Sequence, residues 1–336
     1  MANFLQFTAI RAAMALFTLL MVSLIVFTLM ELVPGTCAER YLAYKNTQGA
    51  GITVEDIAAE ERRLGLDRPF LVRWGSWVGN VFLRGDFGTS CILRVDINQL
   101  LGDKFLLSLA ICLTALALAY LIAIPVGILA ATSRSPLVNG SLRFASYLGL
   151  AMPNFLLALI VMLVSTMMFG DSLTGLFSSE FRDAPWSFEK FLDFLSRAWL
   201  PIFILGWSAT AFALQTVRAL MLDEKDKLYV TAARARGLHG GRLLWRYPAR
   251  HALGPIVNSL GFDLNRIFNE LPIVALILTL TEAGALLLES LARSNDQQLA
   301  GAIIFLLTAS IVTVNFLTDI ALAALDPRIR NSVMEA

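Results

Sequence analysis

Few residues in this chain are spaced for covalent or metal chemistry. His239 and His251 are the only histidines; they stand twelve residues apart among arginines whose charge repels a metal cation. They read as two solvated histidines in a basic stretch. No GxxxxGK[S/T] loop is present to cradle a nucleotide, and neither HExxH nor GxSxG occurs. The three cysteines, Cys37, Cys91 and Cys112, lack CxxC spacing for zinc. Helical spacing does bring together Asp263, Arg266 and Glu270, at i, i+3 and i+7 within an apolar run, with Asn265 and Asn269 beside them and Pro272 beyond. One helix face can hold Asp263–Arg266 and Arg266–Glu270 pairs there. Ionisable groups in such runs are costly and usually face a bundle interior or a cavity.

The elements that must carry these residues follow from composition. The chain has 336 residues, 57% hydrophobic and only 16% charged, with 22 Phe and a mean hydropathy of +0.67. A soluble domain carries about 25% charged residues, so too few charges are present to cover a water-soluble surface. A formal net charge of +1 supplies no field for holding nucleic acid. A membrane-crossing helix needs about 20 mostly apolar residues. Six runs qualify: Ala12–Met30, Phe105–Ala131, Leu142–Phe169, Trp199–Leu222, Ile256–Leu280 and Leu299–Leu325. The first is long for a signal-peptide core and no small-x-small cleavage site follows, so a retained helix is expected. The expected fold class is all-α: a polytopic membrane protein of six transmembrane helices, with an extended external segment after the first.

Lysine and arginine in the short connections set orientation. Arg134 and Arg143 lie between the second and third spans. Arg218, Lys225, Lys227, Arg234, Arg236, Arg242, Arg246 and Arg250 lie between the fourth and fifth, and Arg328 and Arg330 in the tail. The opposite connections hold Asp171, Glu180, Asp183, Glu189 and Asp193, or Arg293 as their sole basic residue. Both termini and the long basic connection are therefore expected in the cytosol. The expected organisation is a first helix over 1–31, an external segment over 32–104, a five-helix core over 105–325 with a cytosolic loop at 223–255, and a cytosolic tail over 326–336.

Within Leu222–Pro255 two short amphipathic helices fit. In the first, Tyr229, Ala232, Ala233 and Arg236 recur at helical spacing as a small-residue face, and Gly237 terminates it. In the second, Leu243, Leu244 and Tyr247 take one side and Arg242, Arg246 and Arg250 the other. Arginines that only anchored topology would not need a small-residue helix ending in glycine. An alanine face can approach another protein closely, as a helix laid in a groove.

Tyr229-Val230-Thr231-Ala232-Ala233-Arg234-Ala235-Arg236-Gly237-Leu238 resembles the "EAA" coupling loop of binding-protein-dependent ABC importer permeases, and more narrowly the dipeptide/oligopeptide/nickel permease family with its YVRTARAKGL. Leu64-Gly65-Leu66-Asp67-Arg68-Pro69 and Arg84-Gly85-Asp86-Phe87-Gly88-Thr89-Ser90 are similar to that family's first periplasmic segment. Ile124-Pro125-Val126-Gly127 with Ala130-Ala131 matches its second span, and Leu150-Ala151-Met152-Pro153-Asn154-Phe155 its third. Asp326-Pro327-Arg328-Ile329-Arg330 is a frequent ending. The resemblance covers nearly the whole chain. Two places depart: Thr231 stands where the broader family has glutamate, and Leu278–Ala285 replaces the usual VxET and PGLG-like turn.

The resemblance implies a type I ABC importer permease of a bacterial plasma (inner) membrane, its external segment periplasmic, that pairs with a second homologous permease, two cytosolic ABC ATPase subunits and an external substrate-binding protein. ATP and Mg would be bound by the ATPases; this chain would be non-catalytic, with no cofactor of its own. Tyr229, Thr231, Ala232, Ala233, Arg236 and Gly237 would form the ATPase-coupling element. Because the family's fifth span borders its pathway, Asp263, Arg266, Asn269 and Glu270 would line or gate the cytosolic half; a polar lock against a neighbouring permease is the equal alternative. Short peptides lead as substrates, and nickel chelates, oligosaccharides and opines use related permeases. The rival class is an ion-gradient-driven secondary transporter, which calls for inverted repeats; no convincing repeat is visible. A membrane-embedded enzyme ranks third, for want of a catalytic set.

Cys37 and Cys91 both fall on the expected oxidising side, where a disulfide can persist, but sequence does not supply the Cα separation a bridge needs. Cys112 is expected only to pack. Val54–Gly65 reads as an exposed helix, followed by Trp74 and Trp77 at the membrane interface. Together they form an expected cap, either receiving a binding protein or acting as a solvated lid. Ala115, Ala119, Ala123 and Gly127 suit close helix packing, and Asn315 and Asp319 are expected to be structural.

Overall fold

Two periodicities decide the architecture: long apolar runs with no strand alternation, and short amphipathic stretches between glycines. The computed structural model describes residues 2–32, 34–47, 49, 53–169, 174–182, 184–280, 283–292 and 296–325. The chain is all-helical, and the one β-feature among the described residues is an isolated bridge between Thr89 and Asp96. The expected ending Asp326-Pro327-Arg328-Ile329-Arg330 lies outside the described residues, as do Asp171, Asp183, Thr281, Glu282 and Arg293.

In chain order the helices are α1 (Ala2–Leu32), α2 (Cys37–Thr47), α3 (Val54–Leu64), α4 (Phe70–Arg84), α5 (Ile97–Thr132), α6 (Pro136–Ala151), α7 (Asn154–Phe169), α8 (Phe188–Glu224), α9 (Leu228–Ala235), α10 (Gly240–Arg246), α11 (Pro248–Asn258), α12 (Leu260–Ile277), α13 (Ala283–Ala292) and α14 (Gln297–Leu325). Four stretches are long and apolar enough to cross a bilayer: Phe4–Leu32, Ile97–Thr132, Phe188–Glu224 and Gln297–Ala324. They match four of the six expected spans.

The other two differ. Leu142–Phe169, expected as one span, is two helices, α6 and α7, bent by 99°. Pro153 sits at the break; its ring disfavours helical backbone at Met152, which is extended at φ −98°, ψ 115°. Taken as one bent element, the pair is a fifth crossing. Ile256–Leu280 is divided at Ser259 into the end of α11 and all of α12, whose Asp263, Arg266 and Glu270 remove it from the plainly apolar class.

The helices group into two compact units. One holds Leu109–Leu280 with short stretches from both chain ends, including α14 from Val314 on. Its centre is α8, which packs on α6, α7, α11 and α12 and also meets α5, where Ala115, Ala119 and Ala123 are fully buried. A carbon added at Gly127 would fall 2.7 Å from the Val217 side chain, so the small-residue stripe lets the two backbones approach. Lys190, at the start of α8, is buried: its ammonium donates to the Ala184 carbonyl at 2.6 Å and lies 4.8 Å from the Phe177 ring centroid.

The other unit holds Ala9–Ser108 and Thr281–Thr313. Thr53 caps α3 reciprocally with Asp56, and Gly65, left-handed at φ 66°, ends it. Cys37 and Cys91 are joined in a disulfide with Cα atoms 5.4 Å apart. Beside it, the buried Asp296 carboxylate accepts from the Cys91 amide at 3.2 Å and the Leu299 amide at 3.1 Å, capping α14 and holding the loop around Ser90. Arg94 links that loop to the outer helices: it pairs with Glu60 at 2.5 Å and lies 3.9 Å over the Tyr41 ring. The two tryptophans meet the flanking spans: Trp74 donates to the Ser23 hydroxyl at 3.3 Å, and Trp77 packs on Phe27 and Phe305.

Candidate functional site

The basic connection after α8 folds as a small bracket. Lys227, extended at φ −65°, ψ 153°, lets the chain turn from α8 into α9. Residues at i, i+3 and beyond bring Val230 and Ala233 inward onto Leu243 of α10, with Tyr229, Leu238 and Tyr247 around them. The end of α9 is closed by its own backbone. Gly237 is left-handed at φ +88°, its amide donates to the Arg234 carbonyl at 3.0 Å, and the Leu238 amide reaches the Ala233 carbonyl at 3.2 Å. A β-carbon at Gly237 would meet open space, so backbone conformation alone demands glycine there.

The expected small-residue face divides. Ala233 is buried at 3% exposure, whereas Ala232 is exposed, as are Thr231, Arg236 and Leu228. The outward face of α9 is instead Leu228, Thr231, Ala232 and Ala235, at i, i+3, i+4 and i+7. The 100° offset between neighbours separates the two alanines. Arg250 also departs from its expected place: α10 stops at Arg246 because Tyr247 leaves helical geometry at ψ −82°, and Arg250 rides on α11.

Tyr229 ties the bracket to its supports. Its hydroxyl donates to the Glu224 carboxylate at the end of α8, and its ring lies 5.0 Å from the His251 ring on α11. Burial, and then the hydrogen bond and charge of Glu224, hold the Tyr229 hydroxyl above the usual phenol range, so it stays a donor. The bracket therefore rests on both α8 and α11. The sequence offered no signal for the His251 contact beyond its helical position.

On α12 the expected pathway residues differ in burial and in partners. Asp263 is fully buried, receives a hydrogen bond from Tyr120 of α5, and Tyr120 also contacts the Ser259 hydroxyl at 2.8 Å. Arg266 and Glu270 are half-buried, and Asn269 is exposed, bonded to Asn265 at 3.4 Å. Among the described residues, no ion pair within 4 Å joins Arg266 to Asp263 or Glu270; its guanidinium lies 5.1 Å over the Phe212 ring. Asp263 turns to α5 because a buried carboxylate needs a donor, and Tyr120 supplies one within the helix stack. Asn154, first residue of α7, was missed by the sequence reading. Buried at 1% exposure, it donates to the Leu205 carbonyl at 3.2 Å, accepts from the Ser208 amide at 3.3 Å, and interacts with Glu270. A polar residue directly after Pro153 was its sequence signal.

The sequence matches the binding-protein-dependent transport system inner membrane component family over residues 123–331, and the N-terminal membrane component of the same systems over residues 4–95. It is 28% identical to the oligopeptide transport system permease protein AppB of Bacillus subtilis (strain 168), over 95% of this chain and 97% of that protein. It is 26% identical to the glutathione transport system permease protein GsiC of Salmonella choleraesuis (strain SC-B67), over 93% and 95%. The fold is similar to that of the MetNI methionine ABC transporter in an inward facing conformation, with a TM-score of 0.52 at 16% identity, over 68% of this chain and 97% of that one. A membrane-embedded helical scaffold presenting a short exposed helix between α8 and α11, matched over most of its length, thus belongs to the binding-protein-dependent transport system inner membrane component family.

Proposed function

We propose that this chain is a permease subunit of an ATP-driven importer of short peptides, and that α9 is the element through which ATP hydrolysis in partner subunits moves the membrane helices. The observation that carries the proposal is the outward face of α9. Leu228, Thr231, Ala232 and Ala235 are small or apolar, exposed, and mounted on a bracket braced against α8 and α11. Such a face fits a shallow surface cleft of another protein, and a rigid mount passes displacement on rather than absorbing it.

In this reading the chain itself holds no nucleotide: two cytosolic ATPase subunits bind ATP and Mg, and a second homologous permease completes the path. Both termini and α9 face the cytosol of a bacterial cell, and an external binding protein delivers substrate to the opposite side. Closure of the ATPases pushes α9, and α8 and α11 carry the movement to α12. There Arg266, Asn269 and Glu270, each less buried than Asp263, border the path, while Asp263 anchors the helix to α5 through Tyr120 and Glu270 meets Asn154. Relatives named for oligopeptide and glutathione transport support peptides as the substrate class.

The test is uptake of a labelled peptide pool into vesicles carrying the purified complex and its binding protein. Uptake that needs ATP on the α9 side, and survives dissipation of ion gradients, is expected. Uptake that ignores ATP and collapses with an ionophore would establish a secondary transporter instead.

A further inference from the structure

We infer that α4 lies in the outer part of the bilayer as a partly inserted helix, with the face Leu71, Val72 and Leu83 in contact with lipid acyl chains. The segment following the first span is thereby a membrane-bound element rather than a wholly aqueous cap.

The inference starts from depth. Stretches of 28 and 29 residues, as in the α14 and α1 spans, are about 42–44 Å long, against a hydrocarbon core of about 30 Å, so about 6 Å clears it at each end. The inward face of α4 does not touch the tips of these spans. Trp74 bonds Ser23, nine residues before the end of α1, or about 14 Å along it. Trp77 and Phe82 pack on Phe305, eight residues into α14, or about 12 Å. A helix docked at those positions lies below the ends of the spans that hold it.

Three sides of α4 then account for themselves. Phe70, Trp74, Trp77 and Val81 face α1 and α14. Arg73, Ser76 and Asn80 form the polar stripe and line an open cavity of about 560 Å³ that Arg68 and Glu31 also border. The remaining side has no charge. Leu71 is 67% exposed, Val72 50% and Leu83 85%, and β-carbons added at Gly75 and Gly79 would meet open space. Water on that side would leave three large apolar side chains unsheltered along one 15-residue helix. On α1 too, Ile25 is 57% exposed, seven residues or about 10 Å from the helix end and so within the hydrocarbon core. Acyl chains cover both helices, as for other helices lying in the interface.

The test uses single cysteines at Leu71, Val72, Leu83 and, as an aqueous reference, Val54, which is 81% exposed on α3. Native cysteines do not interfere: Cys37 and Cys91 are bridged and Cys112 is buried. The full chain, with the subunits that co-purify, carries a bimane label in vesicles of phosphatidylethanolamine and phosphatidylglycerol with brominated acyl chains. Quenching by about half is expected at Leu71→Cys and Leu83→Cys, with none at Val54→Cys. Val72→Cys replaces either variant that fails to assemble. Quenching no greater than at Val54 would overturn the inference, whether the site then reacts freely with a membrane-impermeant maleimide or is shielded by a partner subunit.

Discussion

The Asn315 carboxamide of α14 lies against the bare backbone of Gly261 on α12: a carbon added there would fall 1.4 Å from the Asn315 side-chain oxygen. The contact fixes the start of α12, two residues before Asp263. Gly261→Ala is expected to destabilise the protein by at least about 1–3 kcal/mol through overpacking. Asn315→Ala in the same chain should restore much of the loss. Thermal unfolding of the purified single and double variants checks both.

Arg266 carries the test of the pathway on α12. No ion pair within 4 Å joins it to a carboxylate among the described residues, its guanidinium lies over Phe212, and in the proposed function it borders the path. Arg266→Ala should leave complex abundance unchanged and lower peptide uptake at least several-fold. Unaltered uptake would remove α12 from the gate.

The Cys37–Cys91 bridge closes a loop with a sequence separation of 54, for which chain-entropy arguments give about 4 kcal/mol. Cys37→Ser, or reduction of the native chain, should lower the melting temperature of the segment between α1 and α5. Fluorescence of Trp74 and Trp77, both packed in that unit, reports it.

The outer helices also respond to acid. Hydrogen bonding from Arg63, followed by the charge of Arg94, holds the Glu60 carboxyl below its ordinary value of 4.5. A carboxyl whose folded pKa is depressed contributes stability that is fully present above the ordinary value and lost as pH falls through the folded one. Proteolysis within 53–65 should therefore rise a few-fold as pH falls below that value. In Glu60→Gln it should be faster already at neutral pH and change little on acidification.

Much of this arrangement was legible in the sequence because its determinants are local. Apolar run length placed α1, α5, α8 and α14, and Gly237 marked the end of α9 by the conformation that glycine alone takes easily. The rest depended on partners distant in the chain. Asp263 turns away from Arg266 because Tyr120 of α5 offers a donor, and no spacing on α12 reveals that. Ala232 and Ala233 are the same residue type, and only Leu243 on α10 decides which is inside. Pro153 was visible, but the 99° bend it permits is fixed by Asn154 gripping the α8 backbone. Trp74 and Trp77 stood out by residue type, but their contacts with Ser23, Phe27 and Phe305 come from partners distant in the chain.

The most direct test of the account is to substitute Ala232, exposed on α9, and measure the ATPase subunits that co-purify with the chain. Ala232→Trp leaves the Val230–Ala233–Leu243 packing untouched, so normal amounts of the chain should reach the membrane. The predicted result is loss of the co-purifying ATPase and of ATP-driven peptide uptake together. Full retention of both with a tryptophan on that face would contradict the claim that α9 couples this permease to its motor.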